Sequence, residues 1–415
     1  FLATRNIEDA RLYLKKALKI QSDDYEVIKD IGNTYQAVGD SNTAKNYYQQ
    51  AIDINGSYAP ALTNLGIIEL HKGNKQEALS LLIKATKSDP ELAQAWGNLA
   101  KGYIELGKTQ EAETSCRNAI KLNPNLYNPH FLLAKILVER NKLQEAERSL
   151  RKTIEIKPDC FQAHLSLGSV LKDLGQLKEA EMSTCKAIEI NPDLFNAHLL
   201  LAKILLSQQI PEKLPEAERS IRKVIELQPN YPQGYSILGT ILNFLGKPQE
   251  AEISIRKAIE INPDFEQAHY NLATILIELG KLKEAEISLC KAIHIKPCSD
   301  FYFAYANCLF EKKEFDSSID NLYKARELVV EKSALEFLIE VSIIIAKSAK
   351  ELSIDCNEIN KKNNLFDKRV DRLIIHREVE DELLFYLNNI KTNKLESTKD
   401  SRYGPGECSD FKLFD

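Results

Sequence analysis

Residues 93–126 read AQAWGNLAKGYIELGKTQEAETSCRNAIKLNPNL, and this stretch decides the architecture. Counting from Ala93, an aromatic residue stands at position 4 (Trp96), small residues at 8 and 20 (Ala100, Ala112), larger apolar ones at 7 and 11 (Leu99, Tyr103), and a proline at 32 (Pro124). The pattern returns along the chain. Prolines fall at 90, 124, 158, 192, 229, 263 and 297, with spacings of 34, 34, 34, 37, 34 and 34 residues. A period of this size marks stacked supersecondary units, each too small to bury an adequate core alone.

Two antiparallel helices per unit explain the residue types. Glycine or alanine at position 8 (Gly66, Ala100, Gly239) and alanine at 20 (Ala78, Ala112, Ala251) let the helix axes approach closely. Gly107 and its equivalents stand where the first helix must stop, because glycine tolerates the left-handed conformation of a helix end. The repeat proline ends the second helix or the turn after it. At every one of these positions the unit resembles the tetratricopeptide repeat (TPR), and the resemblance covers roughly four-fifths of the chain. It implies an all-α fold, a right-handed α-solenoid of helix-turn-helix repeats with a short helical C-terminal extension. The expected layout is a half repeat at 1–22, then units 25–58, 59–92, 93–126, 127–160, 161–194, 195–231, 232–265, 266–298 and 299–331.

Departures from the period carry information. Unit 195–231 holds three extra residues around Ile210 to Pro215, between its helices, where a protruding loop is expected. Unit 299–331 has Lys313 for the turn glycine, Ser318 for alanine and Val330 for proline, the degeneracy usual where a solenoid ends. A capping helix is expected over 332–353. A linker and an amphipathic helix, with apolar residues at 366, 370, 373, 379, 383, 387 and 390, are expected within 354–400. Residues 401–415 read as the start of a further segment. The first residue is Phe1 and the single methionine is Met182, so the chain is expected to be a fragment at both ends.

At 415 residues, 44% hydrophobic and 28% charged, the composition suits a core-forming soluble protein and excludes collagen and wholesale disorder. Fifty-five basic against 60 acidic residues give a net charge of -5, which does not suit a nucleic-acid binder. The longest apolar stretch, Leu335 to Ala349, is interrupted by Glu336, Glu340 and Lys347, so no membrane span is expected. Eight cysteines without a CxxC pair read as free thiols of a reducing compartment, and the expected location is cytoplasmic.

No phosphate loop, GxSxG or HExxH motif is present, and the reading is of a non-enzyme without cofactor or metal. The Glu-Ala-Glu triplets (Glu111 with Glu113, Glu145 with Glu147, Glu179 with Glu181) fall in the first turn of second helices, where the helix dipole favours them. His376 and Glu378 have the spacing of part of an iron triad, but no second histidine follows. His130, His164, His198 and His269 all occupy position 4, held elsewhere by Trp96 and Tyr235. Equivalent positions lie about 10 Å apart, too far for shared metal coordination. They read as flat rings packed between helices.

The TPR resemblance implies a concave groove lined by first-helix positions 2, 5, 6, 9 and 12. Those positions hold Gln94 and Asn128, then Asn64, Asn98 and Asn271, then Lys101, Lys135 and Lys203. Amides donate and accept at once, which suits an extended peptide backbone, and the lysines favour an acidic protein or peptide partner. Chaperone-binding members grip an acidic terminus with Lys and Asn at 5 and 9, Asn at 6 of the next unit, then Lys and Arg at 2 and 6 of a third. Lys29, Asn33 and Asn64 match the first three, whereas Gln94 and Asn98 replace the two cations. The unit at 280–293 also resembles the long TPR arrays of marine cyanobacterial proteins, some of which precede a catalytic domain. That resemblance implies an alternative, a substrate-recruiting half of a larger oxygenase or a glycosyl- or sulfotransferase. The oligomeric state is left open.

Overall fold

The computed structural model describes residues 7–329 and 334–359, and among them the regular elements are twenty α-helices and one short 3-10 turn. The all-α TPR solenoid is therefore the observed fold class. The chain divides into two compact units, Phe1–Ala197 and His198–Asp415. In the first, α1 (Ile7–Ile20) precedes five hairpins: α2 (Tyr25–Ala37) with α3 (Ser41–Ile54), α4 (Ala59–His71) with α5 (Lys75–Ser88), α6 (Ala93–Glu105) with α7 (Thr109–Leu122), α8 (Tyr127–Glu139) with α9 (Leu143–Ile156), and α10 (Phe161–Asp173) with α11 (Leu177–Ile190). The division falls within α12 (Phe195–Ser207). The second unit continues with α13 (Leu214–Leu227), α14 (Pro232–Phe244) with α15 (Pro248–Ile261), α16 (Glu266–Glu278) with α17 (Leu282–Ile295), α18 (Ser299–Glu311) with α19 (Phe315–Glu327), and α20 (Ala334–Ile359). Within each unit the two helices of a hairpin pack most extensively, and a second helix then packs on the following first helix, as α7 does on α8.

Each hairpin closes in the same way. At Gly107 the backbone enters the left-handed region (φ 69°). Its N–H donates to the Ile104 carbonyl at 2.9 Å and the Lys108 N–H to the Tyr103 carbonyl at 2.9 Å, which satisfies two carbonyls left open by the helix end. Asn141 (φ 56°), Gln209 (φ 52°) and Lys313 (φ 65°) follow the same path without glycine. The degenerate last repeat thus keeps its turn, at a conformational cost of about 1 kcal/mol.

The small residues mark real close approaches. A Cβ added at Gly66 would lie 2.8 Å from Leu82 Cγ, and one at Gly239 only 2.3 Å from Ile255 Cγ1. Ala112, Ala146, Ala251 and Ala285, all at position 20, have no solvent exposure.

The rings at position 4 have a specific role. Trp96 Nε1 donates to the Pro90 carbonyl at 2.8 Å. His130 Nε2 lies 3.0 Å from the Pro124 carbonyl, His164 Nε2 2.9 Å from Pro158, and His269 Nε2 2.9 Å from Pro263. A carbonyl oxygen only accepts, so Nε2 carries the proton in each of these histidines. Histidine here replaces the indole N–H, tying each first helix to the turn that precedes it.

A ladder of ion pairs runs along the second helices. Arg117 bonds Glu113 of its own helix at 2.8 Å and reaches Glu145 of α9 at 3.4 Å. Arg140 holds the other oxygen of Glu113 at 2.6 Å. Arg151 repeats the step to Glu147 at 2.9 Å and Glu179 of α11 at 2.5 Å. In the second unit Arg256 bonds Glu252 at 2.8 Å and Glu284 of α17 at 2.7 Å. In the triplets of α9 and α11, Glu145 and Glu179 therefore accept from an arginine of the preceding repeat as well as meeting the helix dipole.

Two elements differ from expectation. The insertion around Ile210 to Pro215 does not protrude as a loop: Pro211–Lys213 form a 3-10 turn running directly into α13, where Leu214 is buried and anchors the turn. The last helix continues past 353 to Ile359, because no glycine or proline interrupts residues 354–359. Ile339, Ile343 and Ala346 of α20 join Ala306, Leu322 and Ala325 in one buried cluster, and Lys350 pairs with Asp316. The patterns expected over 365–390 and 401–415, with His376 and Glu378, lie outside the described residues. No helix among the described residues is long and apolar enough to cross a membrane.

Candidate functional site

The candidate site is the face formed by successive first helices. Around α2 and α4 the structure brings Lys29, Asn33 and Asn64 together. Asn64 Nδ2 donates to Asn33 Oδ1 at 2.9 Å, and Asn33 Nδ2 donates to Asp30 Oδ1 at 3.0 Å. The buried Tyr48 hydroxyl lies 2.8 Å from Asn33 Oδ1 and 2.5 Å from Gln36 Oε1. Burial also raises the Tyr48 phenol well above its ordinary range, so it stays a neutral hydrogen-bonding group. Lys29 Nζ sits 2.6 Å from Asp30 Oδ1. Burial works against its charge, yet the bond to and charge of Asp30, with help from Tyr58, hold the ammonium above its usual pKa. An acidic group arriving at this trio meets a lysine already neutralised and a carboxylate beside it.

The same wiring recurs in the second unit. Asn271 Nδ2 donates to Ser236 Oγ at 3.0 Å and reaches Thr240 Oγ1 at 3.4 Å, while Gln267 Nε2 donates to Asn271 Oδ1 at 2.9 Å. Position 6 of one repeat thus reaches position 9 of the preceding repeat in both units. These amides join neighbouring first helices. Lys203, also in this unit, is exposed.

Within the first unit, α6 and α8 present a different surface. Gln94 and Lys135 are exposed, and Asn98, Lys101 and Asn128 are half-buried. Lys101 Nζ donates to His71 Nε2 at 3.1 Å, so that imidazole is neutral and protonated on Nδ1. Burial first, and the Lys101 charge second, push the His71 pKa below its ordinary value. No carboxylate among the described residues lies within 4 Å of Lys101 or Lys135. Beside them, position 5 changes character: Thr63 is buried and Gly97 is small, with room for a Cβ only 3.1 Å from Pro129, whereas Phe131 and Leu165 are half-buried and large.

Sequence reasoning missed Asp30, His71, Phe131 and Leu165. Asp30 was legible as an acid at position 6, where an asparagine stands in the next two units. No group of histidine, cysteine and carboxylate side chains among the described residues could hold a metal.

Stacked hairpins with glycine-closed turns, alanine contacts and a polar first-helix face define a tetratricopeptide repeat protein, a class that generally serves as a protein-protein interaction scaffold. The chain belongs to the family described as the cilia and flagella-associated protein 70 C-terminal domain, whose model matches residues 2–236. Two tetratricopeptide repeat models match residues 232–265 and 255–287. Among solved structures, yeast Tom70 is similar at 15% identity and TM-score 0.44, covering 88% of this chain and 97% of that one. A tetratricopeptide repeat protein from Parabacteroides merdae is similar at 21% identity and TM-score 0.40, covering 61% and 98%. A thermophilic TPR protein of Thermus thermophilus is similar at 21% identity and TM-score 0.37, covering 44% and 99%. No curated protein matches the chain.

Proposed function

We propose that this chain is a non-catalytic interaction scaffold that receives an extended segment of another protein along its first-helix face. The observation that carries the reading is the surface of α6 and α8, where Gln94, Asn98 and Asn128 offer amides and Lys101 and Lys135 offer charges with no carboxylate within 4 Å among the described residues. Amides can bond a peptide backbone whatever its sequence, and unmatched charges select what is attached to it. Elsewhere, Asn64 bonds Asn33 between α4 and α2, and Asn271 bonds Ser236 between α16 and α14, which makes these amides supports of the stack within each unit. Lys203 extends the reading to the second unit's own face.

The test is affinity capture with the full chain, followed by peptide mapping of what is retained. Lys101→Glu and Lys135→Glu together should abolish retention of specific partners. Lys257→Glu, on the second helix α15, should leave it intact. Equal retention by all three proteins would remove the first-helix face from the reading.

A further inference from the structure

The bound segment can be specified further, resting on the scaffold reading above. We infer that the first unit selects a segment with two carboxylates three residues apart, acid-x-x-acid, seated on Lys101 and Lys135, with a large apolar side chain beside them against Phe131 and Leu165.

The argument starts from register. Lys101 and Lys135 both occupy position 9, on α6 and α8, and Phe131 and Leu165 both occupy position 5, on α8 and α10. Phe131 and Lys135 are four residues apart on one helix and so are neighbours on its surface. The face therefore carries two parallel rows, one cationic and one apolar, separated by one helical turn. Along each row, packed helix axes are spaced by about 8–10 Å. An extended chain in the polyproline II conformation rises about 3.1 Å per residue with three residues per turn, so side chains three apart point the same way about 9 Å from each other. That matches the lysine spacing. Such a chain keeps its backbone polar groups free, and Gln94, Asn98 and Asn128 stand beside its course to bond them.

Charge selects the acid. Lys29 is matched by Asp30 at 2.6 Å and Lys172 by Asp173 at 2.6 Å, at either end of the row of first helices. Among the described residues Lys101 has the neutral His71 ring as its partner at 3.1 Å, and Lys135 is exposed. Among the described lysines of α2, α4, α6, α8 and α10, the charge unmatched by a carboxylate is confined to α6 and α8. The acidic contact is thereby displaced from the Lys29, Asn33 and Asn64 trio to α6 and α8.

The experiment measures fluorescence anisotropy of labelled proline-rich peptides with the full chain. One probe carries Glu-Leu-Pro-Glu. A second has the same composition with its glutamates adjacent, and a third has lysine for glutamate. The first should bind at least about tenfold more tightly than the second, a step of about 1.4 kcal/mol, and the third should not bind. Lys135→Glu, an exposed change that leaves packing untouched, should remove the preference, and replacing leucine in the probe by alanine should matter less to Phe131→Thr than to the parent chain. Equal affinity for the first two probes, a preference for the basic one, or no binding of any probe would overturn the acid-x-x-acid assignment. Retention of captured partners that depends on Lys101 and Lys135 would still sustain the scaffold reading, and its loss of dependence would fell that reading separately.

Discussion

Lys45 on α3 lies 2.7 Å from Oε1 of Glu69 on α4, and the Glu69 side chain has no solvent exposure at all. The second carboxylate oxygen accepts from Asn74 Nδ2 at 2.6 Å. Position 11, which Glu69 occupies, holds Leu137 and Leu171 in later units. A charge thus stands where these repeats have an uncharged, largely apolar side chain, and it is tolerable only because both oxygens are engaged.

Removing the lysine should therefore cost far more than a surface pair would. Lys45→Met strands a buried carboxylate and should destabilise the α3–α4 region by about 3–5 kcal/mol, read by hydrogen exchange of its amides. Adding Glu69→Leu should recover most of that loss. Burial raises the Glu69 pKa, but the bonds from Asn74 and Lys45 outweigh it and leave the pKa below the ordinary 4.5. The stabilisation is accordingly complete above pH 4.5 and is lost as pH falls through the lower folded-state value. A protein equally stable with and without Lys45 at pH 7 would contradict this.

The position 4 bond separates donors from mere rings. His130→Phe keeps a flat ring but leaves the Pro124 carbonyl without its donor, and should cost about 1–2 kcal/mol in urea unfolding. His130→Trp should cost less, since Trp96 makes the equivalent bond. Nitrogen NMR should place the proton of His130, His164 and His269 on Nε2 at pH 7.

Two glycine substitutions should behave differently. Gly239→Ala pushes a methyl to 2.3 Å from Ile255 Cγ1, an overpacking that should cost about 1–3 kcal/mol and disappear once Ile255→Ala has removed both Cγ1 and Cδ1. Gly246→Ala meets nothing within 4 Å but sits at φ 72°, so its cost, about 1 kcal/mol, should be indifferent to Ile255. Thermal unfolding of the three single and two double variants checks both.

His71 should titrate below a free histidine. Lys101→Gln removes the second of the two influences that depress it, so its pKa should rise part of the way toward 6.5, with burial retaining the remainder. A proton NMR titration of the ring reads this directly, and an unchanged midpoint would mean that Lys101 does not act on the ring.

The helical hairpins were legible because the proline period and the small residues at positions 8 and 20 are local consequences of packing. The Glu-Ala-Glu triplets were visible too, but only half their role was. Arg117 and Glu145 are twenty-eight places apart, and nothing in either helix alone shows that one reaches the other. The candidate site was legible as a row of positions, not as an electrostatic surface. Lys29 and Asp30 are chain neighbours on a helix, a spacing that does not ordinarily place side chains face to face. Their 2.6 Å contact, which cancels the most suggestive lysine of the sequence, emerges only once both side chains are placed.

The arginine ladder has a consequence for how such a chain can change length. Each rung joins position 25 of one repeat to position 19 of the next, and each ring bond joins position 4 of a repeat to position 32 of the one before. Excising residues 127–160 would bring Glu179 to the place now held by Glu145, opposite Arg117, while Leu174 would take the place of Arg140 beside Glu113. Duplication would work equally well in reverse. The surface that looks merely charged holds equivalent couplings, so that the arginine rung itself re-forms when a whole period is gained or lost between Arg117 and Glu179.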